Sequence, residues 1–315
     1  MAFEKLLGND RLKDNLTSSL QKGRISHFYL ISGPVGSGKH TLARLLAAAI
    51  LCKDKDAPCG KCNICRKVME NNHPDVITVD DPEHKNVAVK LVRQAREDMY
   101  ILPNESDYKI YLFPQELGIE GQNALLKIFE EPPKYCVFLL LSNNPEQLLP
   151  TVRSRCTELA LTALPAKLLT EVLSKEFPDV PGDALDAAIS RSGGYLGQAR
   201  ELLETGASIP PQTEAFLRAF AEKNALEVTK VLASMEKSKR DQLIPLLENW
   251  TAMLEESLAC RSGMRSVHPM TKTIASQRSS HELMQAISHL QKAIAYAQSN
   301  VSPAAICGYL TWQLK

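Results

Sequence analysis

The chain carries almost no net charge, no apolar stretch long enough for a bilayer, and neither a low-complexity tract nor an internal repeat. With 37 Lys and Arg against 36 Asp and Glu, its formal net charge is +1. That argues against a surface that coats polyanions generally, so any nucleic-acid contact has to be a local patch. The longest apolar run, near Leu42 to Cys52, falls short of the ~20 residues of a membrane helix and contains Arg44. Met1 to Asp10 lack the basic start and apolar middle of a secretory signal. A cytoplasmic location with no membrane partner is therefore expected. A length of 315 residues suits two or three domains.

A more specific absence lies inside a motif. Gly33-Pro34-Val35-Gly36-Ser37-Gly38-Lys39 fits the phosphate-cradling pattern G-x-x-x-x-G-K-[ST], but His40 stands where the hydroxyl residue belongs. In that pattern backbone N–H groups wrap phosphate oxygens, the lysine neutralises charge, and the hydroxyl ligates magnesium. The context fits, because His27 to Ile31 reads as an apolar strand and Leu42 to Leu51 as a helix. Thr41 is a poor substitute, since one step along a helix turns a side chain by roughly 100°. Imidazole is a poor one too, since magnesium prefers oxygen. The loop thus has the makings of a nucleoside-triphosphate site without an obvious metal ligand.

Four of the eight cysteines crowd together: Cys52, Cys59, Cys62 and Cys65. Overlapping C-x-x-C steps supply thiolates to a tetrahedral ion with little strain, which favours structural zinc. Lys53, Lys55, Lys61 and Arg66 would offset the thiolate charge. A redox C-x-x-C would not call for four thiols, and iron–sulfur sites use other spacings. Cys136, Cys156, Cys260 and Cys307 are isolated among apolar residues and read as reduced core or near-core thiols.

Strands are expected at 75–79, 108–113 and 135–141, alternating with helices at 89–100 and 122–131. The run Tyr135 to Leu141 is nearly all apolar, as in a strand buried on both faces of a parallel sheet. This is a βαβ pattern. It stops near Leu161, and helical periodicity dominates from Pro165, interrupted at Gly193-Gly194 and at Ile209-Pro210-Pro211. Gly263 to Ser280 shows no clear period and is expected to be an exposed connection.

Taken together, these residues resemble the clamp-loader branch of the AAA+ ATPases, and within it the delta-prime subunits of bacterial DNA polymerase III. The resemblance is carried, in order, by Arg24 to Leu30 leading into the loop, the four-cysteine insertion, Asn123-Ala124-Leu125-Leu126-Lys127 with Glu130-Glu131-Pro132-Pro133, Ser142-Asn143-Asn144, and Ser154-Arg155-Cys156. It spans nearly the whole chain, including two last helices separated by Asn300-Val301.

The resemblance implies an α/β P-loop domain over 1–163 with a zinc-binding insertion, a small helical lid over 164–208, and an all-α collar over 209–315. It implies that Gly33, Gly36, Ser37, Gly38, Lys39, His40 and Thr41 form a degenerate nucleotide site for weakly held ATP or ADP. It also implies that Arg155 is an arginine finger offered to the nucleotide of a neighbouring subunit. The partners it implies are delta and gamma/tau subunits in a hetero-pentamer and, through that assembly, a sliding clamp and primer-template DNA.

Departures from the family pattern point away from hydrolysis by this chain. Active relatives end the strand matching Lys109 to Phe113 in an acidic pair, but here Pro114-Gln115 follow and Glu116 is the one nearby acid. Gly197 stands where a second sensor arginine is expected, and Arg200 reads as a helix-surface residue. Two rival readings stay open: an active ATPase motor subunit of the same loader, and a zinc-dependent nucleic-acid module. The second is weakened by the lack of aromatic residues around the cysteines.

Overall fold

The computed structural model describes residues 3–84, 86–204, 210–238, 240–263, 269–299 and 301–314. Its elements run α1 (Asp10–Gln21), β1 (Phe28–Ser32), α2 (Lys39–Leu51), α3 (Asn63–Met69), β2 (Val76–Thr78), α4 (Val89–Asp98), β3 (Lys109–Phe113), α5 (Ile119–Glu130), β4 (Cys136–Ser142), α6 (Pro150–Arg153) and β5 (Thr157–Ala160). Helices follow: α7 (Ala166–Glu176), α8 (Gly182–Arg191), α9 (Leu196–Glu204), α10 (Pro211–Ala221), α11 (Ala225–Met235), α12 (Arg240–Arg261), α13 (Pro269–Gln277), α14 (Ser280–Gln298) and α15 (Pro303–Gln313). Among the described residues, no helix is long and apolar enough to cross a membrane. The chain gathers into two compact units, residues 1–173 with 189–201, and residues 174–188 with 202–315.

The first unit is built on a parallel five-stranded sheet in the order β2-β3-β4-β1-β5. Every residue of β1, β3 and β4 is buried, because helices cover both faces. Side chains alternate between two cores, as the period of two demands. Tyr29, Ile31, Val137 and Leu139 pack with Leu42, Ala43 and Leu46 of α2 on one face. Phe28, Leu30, Tyr111 and Phe138 pack with Val92, Leu125 and Ile128 of α4 and α5 on the other. There Phe138 stacks between Phe28 and Tyr111 at 5.0 and 5.1 Å. Strand order reverses at β1, which has β4 on one side and β5 on the other. A crevice therefore opens outside its carboxyl end, where the glycine loop begins.

The second unit is helical. Its centre is Trp250, fully buried, with its ring 3.8 Å from Phe216 and its indole N–H donating to Thr213 Oγ1 at 3.1 Å.

The expected exposed connection over 263–280 is corrected here. Residues 264–268 lie outside the described residues, but 269–277 form α13. Thr271, Ile274 and Ala275 are buried, and Arg278 is only 7% exposed. The Arg278 Nε–H donates to Phe220 O at 2.8 Å, and its guanidinium lies over the Phe220 ring. Residues 271, 274, 275 and 278 follow the i, i+3, i+4, i+7 spacing of a helix face. Thr, Ala and Arg disguise that face because they are not large apolar residues. Ile274→Ala should therefore lower stability by about 2–5 kcal/mol in urea denaturation, whereas an exposed position would shift it by no more than ~0.5 kcal/mol.

Candidate functional site: a phosphate-type loop, a thiol cluster and an arginine turn

The glycine loop joins the end of β1 to the start of α2. Gly36 and Gly38 sit at φ 75° and 95°, a region closed to most side chains. Lys39 is 7% exposed, and its Nζ donates to Gly33 O at 2.6 Å and Pro34 O at 2.8 Å. Burial pushes its pKa down, while the nearby Glu116 charge works upward. Ser37 Oγ is buried and has no hydrogen-bond partner among the described residues. The polar atoms of a phosphate cradle are thus in place, and the lysine is folded onto its own loop.

A cavity of about 560 Å³ opens beside the loop, lined by Gly36 to Thr41, Gln115, Glu116, Asn143, Gly197 and Arg200 among others. Among the described residues, Glu116 is the single carboxylate of its lining. That carboxylate accepts from Ser142 Oγ at 3.1 Å and from the Asn143 N–H at 2.6 Å. Gln115 is engaged elsewhere: its Oε1 accepts from Asp81 N at 2.7 Å, and its Nε2 donates to Asp81 O and His84 O. Burial, then the charges of Lys39 and Arg44, hold the His40 imidazole below its usual pKa. Neutral at physiological pH, it supplies no anionic ligand, so this donor set fits magnesium poorly.

The start of α9 lies directly on the loop. The Gly197 N–H donates to Gly36 O at 2.9 Å. A Cβ on Gly197 would fall 2.6 Å from Gly36 Cα, and one on Gly36 would fall 2.5 Å from Gln198 N. Any side chain at either position forces the two backbones apart.

The four cysteines of the insertion come together at the end of α2 and the start of α3. Their Sγ atoms all lie within 4.8 Å of one another and could hold a metal ion. Cys52 to Cys62 and Cys59 to Cys65 are each 3.9 Å apart. A tetrahedron of metal–thiolate bonds of about 2.3 Å has edges of about 3.8 Å, so the set fits. The N–H groups of Cys62 and Cys65 donate to Cys59 and Cys62 Sγ at 3.4 Å. Burial pushes the Cys52 and Cys65 thiols up, whereas backbone N–H groups of Lys61 and Cys62 pull Cys59 down to about 7.

Arg155 follows α6 on a turn, is exposed, and donates from Nη1 to Thr151 O at 2.8 Å. Among the described residues it has no carboxylate partner. Arg153, two residues earlier, pairs with Glu146 at 2.6 Å and Glu158 at 3.4 Å.

A family model described as "DNA polymerase III, delta subunit" matches residues 8–165, half of the chain. A Pseudomonas aeruginosa DNA polymerase III subunit delta′ is 32% identical over 230 residues, covering 71% of this chain and 69% of that protein. The chain belongs to the DNA polymerase III clamp-loader family. A Bacillus subtilis subunit tau is also similar, 29% identical over 265 residues, covering 76% of this chain and 47% of that protein. The chain thus spans less than half the length of this tau relative. A gamma-subunit-related protein from Thermotoga maritima aligns with 96% of this chain and 99% of its own, at TM-score 0.46 and 19% identity.

Of the residues singled out in this clamp-loader chain, the structure brings Gly36 to Thr41 together around one cavity, with Gly33 just before it in the same loop, the four thiols into one cluster, and Arg155 onto an exposed turn. Arg200, read as a helix-surface residue, is half-buried on α9 and also lines the cavity. Sequence reasoning also missed Arg153 and Gln122. Gln122 is 3% exposed, and its amide accepts from Leu149 N at 2.7 Å and donates to Leu117 O at 2.8 Å. Its position just before Asn123 was the available signal. Gly197→Ala should lower stability by about 1–3 kcal/mol through overpacking, although alanine favours a helix. Urea denaturation giving an equal or higher midpoint would refute the tight approach of Gly36 and Gly197.

Proposed function

We propose that the chain is a delta-prime-like clamp-loader subunit that does not hydrolyse ATP itself and lends Arg155 to the nucleotide of a neighbouring subunit. The observation that carries this reading is the phosphate-loop cavity with one carboxylate among the described residues, already hydrogen-bonded to Ser142 and Asn143. Phosphoryl transfer relies on a metal and oriented charge. His40, Gln115 and Gly197 each stand where a group of that kind would be needed. Arg155 supports the trans role, because a guanidinium spreads charge over developing phosphate oxygens, and its head group is committed to no acid among the described residues. The division into 1–163, 164–208 and 209–315, with partners of delta and gamma/tau type, a sliding clamp and primer-template DNA, belongs to the same proposal.

When bound at the loop, ATP or ADP would meet the backbone amides and Lys39 but find no full magnesium shell. A second reading, an active motor subunit, is favoured by the well-formed loop with Lys39 and by similarity to tau. Turnover separates the two. The purified chain with magnesium and ATP should run at least about a hundredfold below a motor subunit. In a reconstituted loader, Arg155→Ala should leave the subunit folded and slow the single site it faces by about 10³-fold or more. Motor-like turnover by the chain alone, or an unchanged rate in the assembled variant, would sink the proposal.

Four thiolates with no open position suit a structural zinc ion, held by Cys52, Cys59, Cys62 and Cys65. Reduced protein should carry one zinc per chain. Chelation should raise hydrogen exchange across residues 52–69 while α10 to α15 keep their protection. Metal analysis finding no zinc would refute this assignment.

A further inference from the structure

We infer that Arg153 is a positioning residue that fixes the turn presenting Arg155, an inference that rests on the trans-acting role proposed for Arg155. The turn is short and its backbone is anchored on both sides. Pro150 starts α6, Val152 is fully buried, and Cys156 packs against the aromatic core. Before α6, the buried Gln122 amide holds the backbone at Leu149 and Gln147. These contacts set the path of the chain but not the direction of the side chains that leave it.

Arg153 adds a second restraint across the turn. Its Nη1 pairs with Glu146, on a single 3-10 turn capped by the Asn144 side chain, and its Nη2 with Glu158 on β5. Segments preceding and following the turn are thereby tied to one planar fork. Glu158 is itself oriented, since its other oxygen accepts from Ser32 Oγ at 3.1 Å. Ser32 is 3% exposed, ends β1 and precedes the glycine loop. The fork is thus referenced to the rigid centre of the sheet. Among the described residues, Arg155, on the same turn, is held by the Thr151 carbonyl alone. One arginine is committed to this subunit and the other is available.

The two acid pairs are partly exposed, and such pairs add little to folding. Their restraint acts on orientation, which matters because a misplaced charge loses most of its value at a transition state. Lysine replaces the fork only in part, since its ammonium keeps the charge but lacks the planar, rigid donor geometry of a guanidinium.

The test is ATP turnover by a loader reconstituted with full-length variants of this chain. Arg153→Ala should lower kcat about two- to fivefold, with KM for ATP, assembly and the melting temperature of the chain unchanged. Arg153→Lys should recover part of the loss. Glu158→Gln should match Arg153→Ala, and the double variant should fall no further. Wild-type kcat for Arg153→Ala, alongside a clear loss for Arg155→Ala, would overturn the positioning role and leave the finger standing. A loss for Arg153→Ala that tracks a lowered melting temperature, or effects that multiply in the double variant, would also overturn it. A wild-type rate for Arg155→Ala would instead remove the finger role on which the inference rests.

Discussion

Strands β1, β3 and β4 are covered on both faces, so polar chemistry is admitted only where they end. At their carboxyl ends the ladder stops and backbone groups need partners. The glycine loop follows β1, Glu116 lies three residues beyond β3, and Ser142 with Asn143 closes β4. They meet because the sheet brings three strand ends together, with Gly33 N donating to Ser142 O at 3.2 Å. Position in the sheet, more than any single motif, decides which side chains can face a ligand.

In that setting the polar groups are largely used by the protein itself. Lys39 donates to two loop carbonyls, Glu116 receives a hydroxyl and an amide, Gln115 clamps the segment at 81–84, and Gly197 closes on Gly36. A ligand would have to compete with each of these contacts. The arrangement is a well-ordered site whose strength goes into its own rigidity. The exposed Arg155, by contrast, would give up little on engaging another surface.

Much of this was legible in the sequence, for identifiable reasons. Strands buried on both faces must be continuously apolar, so Tyr135 to Leu141 announced β4. A loop that bends through positive φ needs glycine, so Gly33 to Gly38 announced the tight turn between β1 and α2. Thiols that share one ion must be close in sequence or carried by a turn, so the cysteine cluster was plain. What escaped depended on contacts that only the folded chain creates, or on faces without large apolar residues. The closeness of Gly36 and Gly197 involves residues 161 positions apart, and no pattern in either segment reveals it. Arg153 carries no motif, and Glu146 on the 3-10 turn and Glu158 on β5 become its partners only when the turn folds between them. Helix α13 escaped because its inner face uses Thr271, Ala275 and Arg278 around one large apolar side chain.

Helix α2 starts at Lys39, where the glycine loop ends, and gives way to Cys52, the first of the four thiols. Its thirteen residues make a rod of about 20 Å whose inner side is locked into the core. Inserting or deleting one residue along it would swing the far end by about 100°, carrying Cys52 away from its three companions while leaving the loop untouched. The spacing between loop and thiols is therefore a ruler set by helical pitch. Drift in sequence can change the letters on that rod but not its length.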